Sequence, residues 1–517
     1  MAEELDVAER IRLAELLGSL SFTGDLGRGQ PMGHVLRTCR IAMALAERLR
    51  LNDEQRRDVY FTSLLVHAGC TAGAPEFAAF LASDELKAQK DFCLCDPSNM
   101  QQLLGWLWRN VGEGRGLPAR GARMLQLMAQ GEKAFQEIDE GCSDVGRRIA
   151  VRLGMSEETQ RSLYQVCENW GGKGPHKLKG EDIPLPARLV NVAMIMEVFF
   201  SEEGTDAAGA AAKARGGKSF DPTIAAQAIE LCGDASFWQF MGDQEPWDSM
   251  LALEPEPVRW VSEAQLDEIA LAFADIVDLK SATTVTHSRR TAELAEALAR
   301  RMKLDDEAVA LTRRAALVHD FGLVAVPAFI LHKEQRLTEA EFERYRLHPY
   351  YTERILSRSP LLRSIGVVAA AHHEAVDGSG YHAGLSGSQL TQPMRLVALA
   401  SAYEEMTGGA TPADPEPLLK SLEDSRRYDE PCLSALASEL GAERPIRARS
   451  AWPSGLTDRE VEVLRHVASG LTIRQTAQRL VVSDHTARHH LESVYSKLGI
   501  SSRAGAVLFA VENDLLP

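Results

Sequence analysis

The chain has 517 residues, too many for one hydrophobic core, so two to four domains are expected. Hydrophobic residues at 45% and charged residues at 25% read as an ordinary soluble globular protein. The net charge of −16 excludes a protein that coats nucleic acid over its whole surface, but leaves room for a small DNA-reading module at one end.

Aromatic residues at 6%, with abundant Ala, Leu, Glu and Arg, favour helices, and an all-α fold is predicted. Met1 to Arg10 carries four acidic residues and no apolar core, so it does not read as a signal peptide. The longest apolar run, Leu189 to Phe200, is broken by Asn191 and Glu197. No membrane partner is expected, and the predicted location is the cytoplasm. Of eight cysteines, seven precede residue 233. Cys93 and Cys95 have no second pair at zinc-finger spacing, so the thiols are read as free and buried.

In chain order, a helix is expected over Val7 to Leu20, followed by a Gly-rich loop. Gly33-His34 opens a long helix, and Asp53 caps another that runs to about His67. Trp-rich helical pieces and Gly/Pro loops reach about Gly141. Ser143 to Leu153, Ser156 to Asn169, Leu185 to Phe200, Ala207 to Ala214 and Pro222 to Leu231 then read as helices. Pro255-Glu-Pro257 is the expected linker. Beyond it, helices are predicted from Ser262 to Leu279, from His287, and from an Asp305 cap to His319-Asp320. Thr338 to Tyr345, Tyr350 to Ser357, Ile365 to His373, Arg395 to Met406 and a tail helix from Asp429 follow.

The two halves share their spacings, and a repeat of about 200 residues reads as two tandem domains of one fold. His34 and His67 match His287 and His319. Cys142, Val166 and Cys167 match His348, His372 and His373. In this pairing Asp320 is replaced by Ala68. The first half keeps the skeleton and loses nearly every metal-type ligand.

The second half gathers His287, His319, Asp320, His348, His372 and His373. Imidazoles and a carboxylate suit iron, manganese, zinc or nickel. His372 and His373 are adjacent, so they cannot share one helix face; they meet one ion only where the backbone turns, as the run Asp377-Gly-Ser-Gly380 allows, or serve separate poles of a metal cluster. A carboxylate between two ions suits in-line attack on a phosphate ester.

His319-Asp320-Phe-Gly, His348-Pro349 and His372-His373-Glu-x-x-Asp377-Gly-x-Gly380-Tyr381 together resemble the HD-GYP branch of the HD phosphohydrolases, over about residues 262 to 442. The resemblance implies an all-helical domain that hydrolyses cyclic di-GMP at a two- or three-metal centre. It implies His319 and Asp320 as catalytic, His287 and His319 on one metal, Asp320 bridging, and His348, His372 and His373 on the next. The sequence departs from the pattern at four places. Ser401 stands where an Asp ligand is usual, Leu323 replaces a phosphate-contacting Lys, and His382 replaces the Pro of the third motif. Thr283 replaces the Glu of three-metal members, so two ions at most are expected. Glu404 and Glu405, a turn past Ser401, offer replacement carboxylates.

Residues 443–454 carry Arg444, Arg447 and Arg449 and read as a basic tether. Helices are then expected from a Thr457–Glu460 capping box to Ala468, from Thr472 to Leu480, from Ser483 to Leu498, and from Ser502. Seven basic and seven acidic residues from Gly455 onward make this module neutral. Leu456-Thr-Asp-Arg-Glu460, Gly470-Leu471-Thr472, Ser483-x-x-Thr486-x-Arg488-x-His490 and Lys497-Leu498-Gly499 resemble the LuxR-type helix-turn-helix. That likeness implies double-stranded DNA as partner, with Arg488 and His489 on bases, Thr486 and Lys497 on phosphates, and Glu492 facing the groove.

The expected organisation is therefore 1–258 as a degenerate HD-type domain, 259–442 as an HD-GYP-like domain, and 455–517 as the DNA reader. The leading reading is a homodimeric DNA-binding regulator whose HD region senses or hydrolyses a cyclic dinucleotide or other phosphodiester. Its rivals are a metal-dependent phosphodiesterase with a DNA-binding tail, and a scaffold without a ligand.

Overall fold

The computed structural model describes residues 11–442 apart from 97–98, 113–115, 244–245, 282–284, 334 and 411, and beyond them residues 454, 456–468, 471–480, 482–500, 505–506, 509–510 and 515. Among the described residues the fold is all-α. Among these residues two short strands, Ile11–Arg12 and Trp260–Val261, pair antiparallel with Ile11 opposite Val261. The chain divides into two compact units, residues 1–418 and 419–517.

Within the first unit both halves of the repeat contribute to one continuous hydrophobic core, from Leu17 and Leu36 to Leu317 and Val397. One constant offset relates the helix His34–Arg48 to His287–Arg301, Asp53–Leu65 to Asp306–Val318, and Gly69 to Gly322. The helices Asp53–Leu65 and Asp306–Val318 are capped by Asn52 and Asp305, each accepting from the N–H three residues on. The first cap is thus Asn52, not Asp53 as expected. Gly69 and Gly322 do the same job: a Cβ on Gly69 would overlap the Cys142 carbonyl, and one on Gly322 the His348 carbonyl. Under this offset His67 occupies the place of Asp320, and Val66 that of His319. The sequence pairing of His67 with His319, and of Ala68 with Asp320, is therefore corrected by one residue.

The stretch read as helical pieces and Gly/Pro loops up to Gly141 does begin with short helices, but from Leu117 it is part of one 36-residue helix, Leu117–Arg152. Its glycines interrupt the apolar period, yet Gly146 leaves room for the close approach of Gly69. Phe77, Trp106, Leu107 and Leu127 form a separate small cluster with the rings of Phe92 and Phe135. The N-terminal helix is Leu13–Gly27; residues 7–10 of its expected span lie outside those described.

The expected linker is fastened down. Glu254 pairs with Arg12 at 3.2 Å, and the Glu256 carbonyl accepts from Arg57. The halves are also clamped further on. Lys280, 1% exposed, reaches the Val324 carbonyl and lies 3.6 Å from Glu85, whose carboxylate accepts from the Ala328 N–H at 2.8 Å. Burial pushes the Lys280 ammonium down to about 8 against the pull of Glu85. Neighbouring Asp84 accepts from Arg344 at 3.0 Å.

By composition and length, Asp53–Leu81 is apolar enough to cross a membrane. Here the stretch is broken at residues 66–69, and Tyr60, Leu64 and Leu65 join the core.

The second unit contains the helices Asp458–Ala468, Ile473–Leu480 and Asp484–Leu498. Leu456, Val461, Leu464, Val494 and Ala506 form its core. Ser483 caps the third helix through the Thr486 N–H, and Gly499 ends it in the left-handed conformation. Residues 501–504, where a fourth helix was expected to begin, lie outside those described, as does most of the basic tether.

Candidate metal centre

Four elements of the second half deliver the site. His287 opens the helix His287–Arg301, and His319-Asp320 follow the end of Asp306–Val318. His348 opens His348–Leu356, and His372 and His373 follow the helix that ends at Ala369. The Gly322 contact presses the turn after Asp320 against the His348 backbone, which fixes the spacing between two of these side chains.

The six side chains converge as two trios, His287–His319–Asp320 and His348–His372–His373. Asp320 stands between them. Its Oδ2 lies 3.4 Å from His319 Nε2 and 3.7 Å from His287 Nε2. Its Oδ1 lies 3.5 Å from His372 Nε2 and 3.6 Å from His348 Nε2. One carboxylate oxygen therefore faces each trio.

The tautomers follow from the backbone. His319, His348 and His372 each place Nδ1 2.7 Å from the carbonyl three residues earlier, at Ala316, Tyr345 and Ala369. A carbonyl only accepts, so each Nδ1 carries the proton and each Nε2 turns a lone pair inward. His348 Nε2 and His372 Nε2 then face each other at 2.9 Å as two acceptors. That arrangement is repulsive unless a cation lies between them. Two nitrogen ligands at right angles, each about 2.1 Å from one ion, stand about 3 Å apart, so the separation fits adjacent ligands of a transition metal.

A proton is a poor substitute for the ion. Burial drives His319 down to about 3 and His348 to about 4, and lowers His287 and His373 as well. Burial also pushes the Asp320 carboxyl up, but His319, His372 and His348 around it hold it well below the usual range. Neutral imidazoles around one carboxylate form a donor set that fits divalent metal.

A pH dependence follows. The two histidines titrate below their ordinary value of 6.5 when folded, so the unfolded chain binds more protons as the pH falls below 6.5. The metal-free protein is expected to lose stability progressively from pH 6.5 towards pH 4, and to change little above 6.5. Melting temperatures in chelator across that range check this; a flat profile would contradict the buried neutral rings.

Ser401 is 1% exposed and its Oγ has no hydrogen-bond partner. Of the two replacement carboxylates considered, Glu404 is engaged, its Oε2 accepting from Arg290 Nε at 2.7 Å, and Glu405 is exposed. The first half has the same pair, Arg37 with Glu197 at 2.6 Å. Leu323 packs with Val326 and Ile330 and supplies no charge. Thr283 lies outside the described residues.

Sequence reasoning passed over the wall beside the second trio. Tyr381 stacks on His373 at 4.7 Å, and Tyr345 lies 4.9 Å from His348. Phe342 meets Tyr381 edge-on, and the Arg346 guanidinium lies 5.5 Å from the Tyr381 ring. The Tyr after Gly380 and the spacing of Phe342, Tyr345 and Arg346 were the available signals. His382 faces Glu353 at 3.7 Å.

In the second unit Arg488, His489 and Glu492 are exposed on the third helix. Thr486 is half-buried and bonded to Ser483. Lys497 reaches back to buried Glu460 at 2.8 Å, tying the first helix of the module to the third.

Residues 272–430 match the HD domain family, and residues 454–510 match the bacterial regulatory proteins of the luxR family. A 3'3'-cGAMP-specific phosphodiesterase of Vibrio cholerae is 29% identical over 435 residues, 83% of this chain and 94% of the relative. A cyclic di-GMP phosphodiesterase of Pseudomonas aeruginosa is 37% identical over 139 residues, 26% of this chain and 34% of that protein. The crystal structure of a cyclic GMP-AMP-specific phosphodiesterase of V. cholerae superposes with a TM-score of 0.58 at 26% identity, covering 84% of this chain and 99% of that one.

Proposed function

We propose, for a chain that carries an HD domain and a C-terminal LuxR-family helix-turn-helix, a DNA-binding regulator whose second half binds and hydrolyses a 3',5'-linked cyclic dinucleotide. The observation that supports it most is the pair of trios sharing Asp320, with one carboxylate oxygen towards each. The relatives that act on cyclic dinucleotides narrow the substrate class.

In this reading residues 1–258 are the degenerate copy, 259–442 the catalytic copy and 455–517 the DNA reader. His287, His319 and Asp320 hold one divalent metal, and Asp320, His348, His372 and His373 hold a second. Bound ions of this kind supply Lewis-acid charge to a phosphodiester and lower the pKa of an attacking water. Asp320 keeps the two poles in register. The Nδ1–H bonds to Ala316, Tyr345 and Ala369 fix three rings so that only Nε2 serves as ligand. Tyr345, Tyr381 and Phe342 offer stacking surface to a base, and Arg346 beside them offers the positive charge that Leu323 cannot.

Turnover of 3'3'-cGAMP and cyclic di-GMP by the full chain supplied with Mn(II) or Fe(II) tests the enzymatic part. No turnover of either by metal-loaded protein would leave a binding-only sensor. DNA affinity compared with and without cyclic dinucleotide tests the coupling, and an unchanged affinity would sink it. A homodimer is proposed for the DNA-bound state, since two-fold half-sites suit helix-turn-helix pairs.

Arg488 and His489 stand where base edges are read. Arg488→Ala is expected to cost about 1–3 kcal/mol of binding to a specific operator while changing non-specific binding little. Operator titrations beside a scrambled duplex check it. Equal loss on both duplexes would make Arg488 a phosphate contact.

A further inference from the structure

Both halves keep one network around the first histidine of the repeat. Arg188-Leu189-Val190 runs in step with Arg395-Leu396-Val397, which brings Glu197 of the helix Leu185–Glu203 onto Glu404 of the helix Gln392–Thr407. Arg37 and Arg290 each stand three residues past the histidine, and each pairs with that glutamate, at 2.6 and 2.7 Å. In the first half the network is closed. His34 Nδ1 donates to Glu197 Oε2, since an ionised carboxylate only accepts. Burial pushes Glu197 up, but His34 and Arg37 hold it at about 2. His34 Nε2 is left without a hydrogen-bond partner. A carboxylate behind the ring and a free lone pair in front is the arrangement of a metal-binding histidine, kept in a copy that has lost the other ligands.

In the second half the same network is open at one bond. His287 turns Nε2 inward, 3.2 Å from His319 Nε2 and 3.7 Å from Asp320 Oδ2. For Nε2 to hold an ion, Nδ1 must carry the proton. His319, His348 and His372 direct that proton at a carbonyl three residues earlier. His287 opens its helix, and among the described residues its Nδ1 has no acceptor. Glu404 is 8% exposed and gives Oε2 to Arg290, while among the described residues its Oε1 has no hydrogen-bond partner. The Glu404 carboxylate lies in the field of the His287 ring. The surroundings are fastened. Asp278 accepts from the Ser288 N–H at 3.1 Å and from its hydroxyl at 2.6 Å, which holds the start of the helix. Arg290 also donates to Thr286 Oγ1, and a Cβ on Gly409 would overlap its guanidinium.

We propose that Glu404 is the positioning residue of His287: its Oε1 accepts from Nδ1–H and fixes the tautomer that leaves Nε2 to the ion. The inference rests on the reading of His287 as a metal ligand. It gives Glu404 a task other than replacing the carboxylate missing at Ser401. The acceptor also makes Nε2 more basic and strengthens its bond to a metal. Arg290 holds the carboxylate ionised and in place.

The test is titration of Mn(II) into the metal-free full chain. Glu404→Gln keeps one acceptor oxygen where Arg290 and His287 need two. It is expected to weaken one of two Mn(II) sites about 10- to 100-fold and to leave the other within about 2-fold. The double variant His287→Ala, Glu404→Gln is expected to lose no more than His287→Ala alone, because the carboxylate acts through the ring. Glu197→Gln breaks the matching network of the first half. It is expected to lower the melting temperature and leave Mn(II) affinity unchanged, which separates general loosening from loss of the ligand. A second measurement needs no change at Glu404. In wild type loaded with Zn(II), proton NMR is expected to show a His287 Nδ1–H shifted downfield by a carboxylate bond and absent from His287→Gln. Both ions held by Glu404→Gln as tightly as by wild type would overturn the proposal. So would additive losses in the double variant, or a His287 Nδ1–H that exchanges freely with solvent. Wild type that takes up neither ion would overturn the metal-centre reading, and this inference with it.

Discussion

Asp320→Ala is expected to reduce hydrolysis of a cyclic dinucleotide by about 10³-fold or more and to empty both poles of the centre. Each carboxylate oxygen serves a separate trio, so removing the side chain takes one ligand from each ion and also removes the only negative charge in the cluster. Five imidazoles would then face one another with no counter-charge for a dication. Metal content and turnover are the two measurements. Metal retained at wild-type stoichiometry would show that Asp320 does not bridge. Asp320→Asn separates charge from shape: it keeps one oxygen donor and is expected to hold less metal than wild type but more than the alanine variant.

Ser401→Asp is expected to act in the opposite direction. The side chain is buried, its hydroxyl has no hydrogen-bond partner, and Glu404 is tied to Arg290. A carboxylate at residue 401 would supply an anionic oxygen on the helix Gln392–Thr407. We expect metal affinity to rise about 10-fold or more, with turnover following where loading limits the rate. The same substitution should lower the melting temperature of the metal-free protein, because the new carboxylate is then buried without a partner. That paired result is diagnostic. Destabilisation that metal does not relieve would mean residue 401 points away from the ion.

Much of the candidate centre was legible because its side chains are adjacent in sequence or sit at helix ends with strong punctuation. Asp305 and Thr338 announced the helices they cap, and the His372–Tyr381 stretch combined two rings with a turn. The register of the first half slipped by one residue because His67 looked like a partner for His319. Only the shared helix bounds and the matching contacts of Gly69 and Gly322 show that it replaces the aspartate. The long helix Leu117–Arg152 was hidden by glycines that serve close packing rather than turning. The pair of Lys497 with Glu460 was not legible either, because the two lie on different helices. Long-range pairs such as Lys280 with Glu85 leave no periodic trace in the chain at all.

That last pair decides how this protein can be taken apart or reassembled. Deleting the first half would strand an ammonium whose carboxylate partner had gone, and breaking such a pair costs about 3–5 kcal/mol. It would also take away the acceptor of the Ala328 N–H, about two helical turns of chain past the candidate ligand Asp320. The ligand-poor copy is therefore an heirloom that the ligand-rich copy cannot discard. A gene fusion cut between the two would yield an insoluble fragment, whereas a cut on the basic tether leaves each piece with its own core.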